Sequence, residues 1–383
     1  MFLHETHLPQ LLRPEDYTSP EQLEREHELL LRPAWQFVGC LSQLPYVGDY
    51  LTTELLGTPL IVWRTAEGVR TFLNVCPHRF SRISGNACGH AEETLQCQYH
   101  GWVFDTCGQT RRIPDARSFK PMSRGALCLT SVRTEVCGQM IFCNLSDDAP
   151  SLREFLGAGY EICETVCGTG LRHIATLPLD VACNWKIKVE NSLESYHLAT
   201  VHRETIGRIP EPEECEHEIG SHYSTFITRM PAPDRTQAVL DDVQHRLAGM
   251  EKDPEYTHWF FYPNIMFGKM RLFSWTEMIW PTSPTTNHTL SLVFCNPGER
   301  GLRSRILFRG LRRWGRWYFR KLGLEDKAAL EEVQRGCNSP RMPSPGVISI
   351  REERCFHFQD YVVRATARGE AVEQRRTRAP ARP

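Results

Sequence analysis

Two short cysteine–histidine pairs carry the chemistry most open to reading in this 383-residue chain: CPHR at 76–79 and CQYHGW at 97–102. Each pair offers one soft thiolate and one imidazole. Two such loops can clasp a two-iron, two-sulfide cluster from both ends, with Cys76 and Cys97 on one iron and His78 and His100 on the other, which is the Rieske arrangement of a [2Fe–2S] centre. The rival occupant is a structural zinc ion. Zinc knuckles and fingers usually pair like with like, as CxxC followed by HxxxH, whereas the order here is CxH, 18 intervening residues, then CxxH.

A cluster of this kind passes one electron at a time and needs a recipient. The segment NWKIKVENSLESYHLATVH at 184–202 supplies a candidate. His197 and His202, with a distant carboxylate, could form a two-histidine, one-carboxylate facial triad that leaves the opposite face of an Fe(II) ion open to dioxygen and substrate. On an ideal helix of about 100° per residue, Glu194 and His197 lie about 60° apart but His202 lies about 140° from His197. The helix must therefore deform or end between the two histidines. In a chain with 15 histidines, such a pair alone would read as surface or core residues; its coexistence with the cluster ligands favours a metal site.

The elements that must position these residues follow from local pattern. Residues 20–32 start with Pro20 after Ser19 and place apolar side chains at helical spacing, which predicts a surface helix. YLTTELL, LIVW and VRTFLNV, between Tyr50 and Cys76, are β-rich and are punctuated by Gly57-Thr58-Pro59 and Glu67-Gly68, as in antiparallel strands joined by tight turns. VRTEVCGQMIFCNL at 132–145 reads as a hairpin turning near Gly138, and DDAPS at 147–151 as a boundary. Further on, HYSTFITR (222–229) and HTLSLVFC (288–295) alternate like strands, while 237–250 and 304–335 read as helices. The helix over 304–322 sets Leu307, Leu311, Trp314, Tyr318 and Leu322 on one stripe, with Arg309, Arg312, Arg313, Arg316 and Arg320 around it. Those arginines could meet an acidic partner or a membrane surface, but a solvated face over a buried stripe is the favoured reading.

Composition narrows the function classes. Lys plus Arg (45) balances Asp plus Glu (46), so no global field recruits nucleic acid or a membrane surface. Fifteen cysteines, odd in number and mostly isolated, argue against a disulfide framework and for a reducing, cytoplasmic compartment. The N-terminal MFLHETHLPQLL lacks the basic start and apolar run of a signal peptide, and nothing approaches the roughly 18 apolar residues of a membrane span.

Taken together, CPHR, CQYHGWVFD followed by Gly108, ENSLESYH with the later His202, YPNIMF at 262–267 and EDKAALEEVQRG at 325–336 resemble the catalytic α subunit of Rieske non-haem iron oxygenases. The last two segments are most similar to the branch of choline, glycine betaine and carnitine monooxygenases, in which Glu often precedes the first iron histidine, as Glu194 does here. The resemblance implies an α+β fold: a β-rich Rieske [2Fe–2S] domain plus a helix-grip α+β catalytic domain with an antiparallel sheet. The expected division is a helical segment at 1–35 packing on the catalytic domain, the Rieske domain at 36–150, the catalytic domain at 151–364 and a disordered tail at 365–383. It further implies mononuclear Fe(II) on His197, His202 and Asp326, with the adjacent Glu325 as the rival carboxylate. Asn191 would lie near the iron and Tyr196 would shape its surroundings, although either could equally be a packing or capping residue.

In this family the cluster of one subunit faces the iron of its neighbour in a head-to-tail homotrimer. Glu194 would then link His100 of one chain to His197 of the next, against the plainer reading of a helix-surface glutamate. Three departures from the family pattern touch no ligand: Phe80 where Gly is common, Gln98 for a frequent Pro, and Ser192 for a frequent aromatic residue.

The implied reaction inserts oxygen from dioxygen into a small molecule, hydroxylating or N-demethylating a quaternary ammonium or methylated amine compound. No GxGxxG or Walker pattern follows a strand, so NAD(P)H would act indirectly, through a separate flavin/iron–sulfur reductase. The aromatic residues Trp259, Phe260, Phe261, Tyr262, Phe267, Phe273 and Trp275 could line a pocket for a cation, though at strand spacing such residues are more often core. Two alternatives stand beside this reading: an oxygenase acting on an aromatic compound, and a non-enzymatic Rieske electron carrier.

Overall fold

The computed structural model describes residues 2–123, 125–229, 245–246, 254–296, 302–341 and 346–367. The chain divides into two units, one of Arg32–Tyr160 and one that joins Met1–Leu31 to Glu161–Pro383. The boundaries therefore fall at 32 and 160 where the sequence suggested 36 and 150. Hydrogen bonds give the reason: Asn144 Nδ2 donates to the Pro33 carbonyl at 2.9 Å and Trp35 Nε1 to the Pro150 carbonyl at 2.9 Å, while the Leu152 amide reaches Glu135 and the Cys137 thiol the Tyr160 carbonyl.

In the unit of residues 32–160, β2 (Gln36–Cys40), β3 (Asp49–Leu55), β4 (Thr58–Thr65), β5 (Gly68–Leu73), β6 (Cys88–His90), β10 (Ser131–Cys137) and β11 (Met140–Asn144) form one antiparallel sheet, in the order β2-β11-β10-β5-β4-β3-β6. A three-stranded sheet of β7 (Thr94–Gln96), β8 (Val103–Asp105) and β9 (Thr110–Arg112) completes the unit. The β3–β4 turn is Leu56-Gly57, both with positive φ, the backbone twist that suits a two-residue hairpin; Thr58 and Pro59, expected in the turn, already belong to β4. Ile61, Trp63, Phe72, Leu95, Trp102 and Phe104 share one core cluster with Cys76 and Cys97, so the sulfurs of the two motifs sit in apolar surroundings. Gly108, at φ +78, leaves room for Phe72: a Cβ there would lie 2.7 Å from the ring.

The other unit begins with β1 (Leu8–Pro9) and α1 (Pro20–Glu26). Ser19 caps α1 by accepting from the Gln22 amide. This helix is not confined to the surface as expected. Its Glu26 is fully buried and accepts from Lys186 Nζ and Trp185 Nε1, both at 2.7 Å. After α2 (Leu152–Leu156), which belongs to the unit of residues 32–160, and α3 (Ala158–Val166), which carries the chain across its boundary, an antiparallel sheet gathers β12 (Arg172–Val181), β13 (Cys215–Ile219), β14 (Tyr223–Arg229), β15 (Glu255–Phe261), β16 (Ile265–Met270), β17 (Phe273–Ser283) and β18 (Thr286–Cys295). Its order is β12-β18-β17-β16-β15-β14-β13. Between β12 and β13 the chain makes α4 (Trp185–Ser192) and α5 (Leu198–Val201).

The long α6 (Leu302–Cys337) lies on this sheet, with Leu307 and Leu311 packed among Ile174, Phe273 and Val293. Arg309, Arg312, Arg313, Arg316 and Arg320 are exposed, while the expected apolar stripe opens at Trp314, which is also exposed. A two-residue pairing of β1 with β19 (Val347–Ile348) and the burial of Cys355, Phe358, Gln359 and Val362 on α7 (Glu353–Thr366) tie the chain's two ends into this unit. Ala365 and Thr366, expected in the tail, form the last turn of α7; the remainder of that tail from 368, and nearly all of the helix expected at 237–250, lie outside the described residues. Among the described residues, no helix is long and apolar enough to cross a membrane.

Candidate metal centres

The two cysteine–histidine loops have the same backbone design. In the first, the Phe80 amide donates to the Cys76 carbonyl at 3.0 Å; in the second, the Gly101 amide donates to the Cys97 carbonyl at 3.0 Å. The closing residue of each loop is left-handed, Phe80 at φ 59 and Gly101 at φ 70. Each cysteine amide is held across its own loop, Cys76 by the Ser81 carbonyl and Cys97 by the Trp102 carbonyl, both at 2.8 Å. Phe80 thus occupies a conformation that favours glycine, and its ring is 80% exposed, so no packing offsets the backbone penalty.

These loops bring the His78 and His100 rings to a centroid separation of 4.7 Å, and His78 stacks on Trp102 at 5.0 Å with the planes 10° apart. Nδ1 of His78 is buried and has no hydrogen-bond partner, the state of a nitrogen reserved for a metal. Burial, with Cys97 adding to it, pushes the Cys76 thiol up to about 11; a bound cation reverses that balance and takes both sulfurs as thiolates. The donor set and its surroundings fit a [2Fe–2S] cluster.

The second site depends on a break in the helix. Asn184 caps α4 by accepting from the Lys186 amide, and α4 stops at Ser192. The Glu194 carboxylate then accepts from the Tyr196 and His197 amides and from His197 Nδ1, just ahead of the start of α5 at Leu198. His197 and His202 flank α5 at its two ends. The break that Glu194 makes thus lies before His197 and not between the histidines as expected: the chain between them is the single turn of α5, which ends at His202, and the two rings meet from its two ends.

From α6, Asp326 Oδ1 lies 3.0 Å from His202 Nε2 and 3.6 Å from His197 Nε2. The ligand atoms of the three residues all fall within 4.8 Å of one another. Glu325, one residue away on the same helix, points elsewhere: it accepts from His202 Nδ1 at 2.8 Å and from Thr205 Oγ1 at 2.7 Å. Each histidine thus gives Nδ1 to a glutamate and turns Nε2 to the common point, the orientation that a carboxylate behind a metal-binding imidazole enforces. Burial opposes a positive charge on His202, but Asp326 and Glu325 outweigh it and raise its proton affinity; the same carboxylates raise its affinity for a divalent cation. The three residues could hold one metal ion, and Asn191 Nδ2 donates to Asp326 Oδ1 at 3.1 Å.

The triad opens into a cavity of about 1020 Å³ that is also lined by Lys188, Phe226, Tyr256, His258, Trp275 and Tyr318. Of the aromatic residues considered from sequence, Phe273 and Trp275 line it, whereas Phe260, Phe261, Tyr262 and Phe267 are buried in the core and do not. Tyr196 is 57% exposed. Two cavity features escaped sequence reading: the buried ion pair of Lys188 with Glu277 at 3.0 Å, and His258. Neither carries a local signal, because a lysine in a helix and a histidine in a strand are ordinary until neighbouring elements bury them.

Comparison with known proteins agrees with this geometry. The family described as ring hydroxylating alpha subunit (catalytic domain) matches residues 169–368, and the family described as Rieske [2Fe-2S] domain matches residues 34–131. The carnitine monooxygenase oxygenase subunit of Acinetobacter baumannii is 24% identical over 344 residues, 88% of each chain. The 2-aminobenzenesulfonate 2,3-dioxygenase subunit alpha of an Alcaligenes species is 34% identical over 186 residues, 47% of each chain. The crystal structure of a quaternary ammonium Rieske monooxygenase with L-carnitine shares the fold at a TM-score of 0.75 and 21% identity, covering 94% of this chain and 96% of that one. The match over residues 169–368 spans more than half of the sequence and encloses the triad and its cavity, so the chain belongs to the ring-hydroxylating α-subunit family and is a Rieske non-haem iron oxygenase that works with a [2Fe–2S] cluster, a mononuclear iron and dioxygen.

Proposed function

We propose that this oxygenase hydroxylates a methyl or methylene group beside nitrogen in a quaternary ammonium or methylated amine compound. The observation that carries the reading is the three-ligand site of His197, His202 and Asp326 opening into an aromatic-lined cavity, in a chain similar along most of its length to a carnitine monooxygenase subunit. The likeness to the glycine betaine monooxygenase oxygenase subunit of Chromohalobacter salexigens, 28% identical over 201 residues, supports the same substrate class. Trp275, Tyr256 and Tyr318 offer ring faces to a cationic head.

In this reading Cys76, Cys97, His78 and His100 hold the cluster, and His197, His202 and Asp326 hold the iron. The bound metals supply electron transfer and the activation of dioxygen. The chain's own residues do the positioning. Glu194 and Glu325 fix the two imidazoles, Asn191 steadies Asp326, and the cavity wall excludes water from the reacting carbon. The net reaction consumes dioxygen, two electrons and two protons, leaving one hydroxylated carbon and one water. A carbinolamine formed in this way loses its C–N bond, so N-demethylation or N-dealkylation follows.

The electrons come from NAD(P)H through a separate flavin/iron–sulfur reductase. The working assembly is a homotrimer in which Glu194 also meets His100 of the adjacent copy. The odd number and isolated spacing of the fifteen cysteines support a reducing, cytoplasmic setting. The test is NADH-dependent oxygen uptake by the purified oxygenase with a reductase, comparing γ-butyrobetaine, L-carnitine and glycine betaine with naphthalene and biphenyl. Stimulation by the ammonium compounds, with release of an amine or aldehyde, is expected. Stimulation by the arenes alone would replace this reading with that of a ring-hydroxylating enzyme.

A further inference from the structure

One wall of the cavity carries a hydrogen-bond donor that the chain does not use. His258 in β15 is 2% exposed and lines the cavity beside Tyr256, two residues earlier on the strand. Its Nδ1 lies 3.0 Å from Arg354 Nη2. A guanidinium can only donate, so Nδ1 accepts and the ring proton resides on Nε2. Burial first, then Arg354 and Lys188, hold His258 well below the usual histidine range, which keeps the ring neutral and this tautomer in place. Nε2 is buried without a hydrogen-bond partner. A buried N–H left in that state is unfavourable, a deficit that a ligand can remove.

What stands behind the ring defines the ligand. Arg354 of α7 is 1% exposed and has its other bonds with neutral acceptors, Ser224 Oγ at 3.0 Å and the Ser224 carbonyl at 3.3 Å. Among the described residues it has no carboxylate in an ion pair. Burial lowers it only to about 10, so it stays charged at neutral pH. A buried cation with no counter-ion polarises the imidazole, and the Nε2–H on the far side becomes a strengthened donor suited to an anionic oxygen. Of the three carboxylates that line the cavity, Glu194 and Asp326 face the triad histidines, and Glu277 is engaged by Lys188 Nζ at 3.0 Å and Ser291 Oγ at 2.6 Å.

We propose that His258, set by Arg354, receives the carboxylate of the substrate, so that the cavity selects molecules bearing both a methylated nitrogen and a carboxylate. The nitrogen half rests on the function proposed above; the carboxylate half stands on His258 and Arg354. The holoenzyme without reductase would be titrated calorimetrically with γ-butyrobetaine and its methyl ester, and with benzoate and methyl benzoate. Native protein is expected to prefer the acid over the ester by at least about tenfold, the scale of one charge-assisted hydrogen bond. His258→Phe should remove that preference while leaving ester affinity within about threefold, and His258→Gln, which restores an N–H at similar reach, should recover most of it.

Should the phenylalanine variant fail to fold by circular dichroism and cluster absorbance, His258→Asn, whose shorter arm withdraws the donor, replaces it with the same expectation. Binding of neither ammonium compound rejects the nitrogen half, and the benzoate pair then tests the carboxylate half alone. An unchanged acid-over-ester ratio in His258→Phe, equal binding of acid and ester by native protein, or binding of none of the four probes overturns the proposal.

Discussion

The cluster loops and the iron site reach ligand geometry by opposite routes. Each cluster loop closes on itself within five residues, through a hydrogen bond from Phe80 to Cys76 or from Gly101 to Cys97. The iron site instead joins a short segment of α4 and α5 to a helix far along the chain: His202 and the glutamate that orients it are 123 residues apart. Local loops hold their ligands wherever the strands beside them form. The triad exists only while α6 is docked on its sheet. The contrast teaches that cluster and iron can be lost separately, and that damage to packing should reach the iron first.

The sharpest test of that separation is His197→Ala. Substrate-dependent oxygen consumption is expected to disappear while the visible absorbance and paramagnetic resonance of the cluster persist; loss of both together would mean that the two sites do not stand apart. A smaller effect is expected from Glu325→Ala, which leaves the three iron-binding atoms and removes the carboxylate behind His202. Iron affinity, measured by competition with a chelator, should fall about 10- to 100-fold with the cluster unchanged. An unaltered affinity would show that α6 packing alone orients the imidazole.

The next test uses pH against the tertiary assembly. Glu190 in α4 accepts from Tyr17 Oη at 2.8 Å and Gln359 Nε2 at 3.1 Å, so it links α4 to both ends of the chain. Burial pushes its carboxyl up to about 7. A folded-state value above the unfolded one means that this group opposes folding increasingly as pH rises from the ordinary carboxylate range to about 7, and by a constant amount above it. Glu190→Gln keeps an acceptor for both partners. It should stabilise the catalytic unit by roughly 2–3 kcal/mol at pH 8 and hardly at all at pH 5, read as thermal unfolding by circular dichroism. The temperature at which cluster absorbance is lost should not change. Equal stabilisation at both pH values would remove the buried charge as the cause.

The smallest effect belongs to the loop that departs from its twin. Replacing Phe80 with Gly relieves a left-handed backbone at φ 59 without losing packing. The cluster unit should gain up to about 1 kcal/mol, seen as a later loss of cluster absorbance on heating, with no change in iron affinity. Destabilisation would mean that the exposed ring has a partner that holds it.

Much of the cluster unit was legible because its signals are local. CxH and CxxH motifs, glycines at turns and alternating strands report structure that a dozen residues can build, and Gly57, Gly68 and Gly138 all sit where the chain reverses. Boundaries were less legible: Trp35 and Leu152 belong with the cluster unit through hydrogen bonds to the Pro150 carbonyl and the Glu135 carboxylate, distant partners that no local pattern announces. The surface reading of α1 failed for a related reason. Glu26 looks solvated in sequence, and only Lys186 and Trp185 from another element make its burial tolerable.

By itself, then, the sequence singled out four candidate cluster ligands, the pair of histidines and the departure from one straight helix that the pair requires, since side-chain chemistry and helical periodicity act over a few residues. Tertiary structure decided which carboxylate joins the two histidine Nε2 atoms. Glu325 and Asp326 are chemically alike and adjacent, but neighbours on a helix point about 100° apart, so the docking of α6 turns one to Nε2 and the other to Nδ1 of the same imidazole. It also decided that His258, one histidine among 15, lines the cavity with Nε2 unpartnered, because the arginine bonded to its Nδ1 arrives from a helix nearly a hundred residues away.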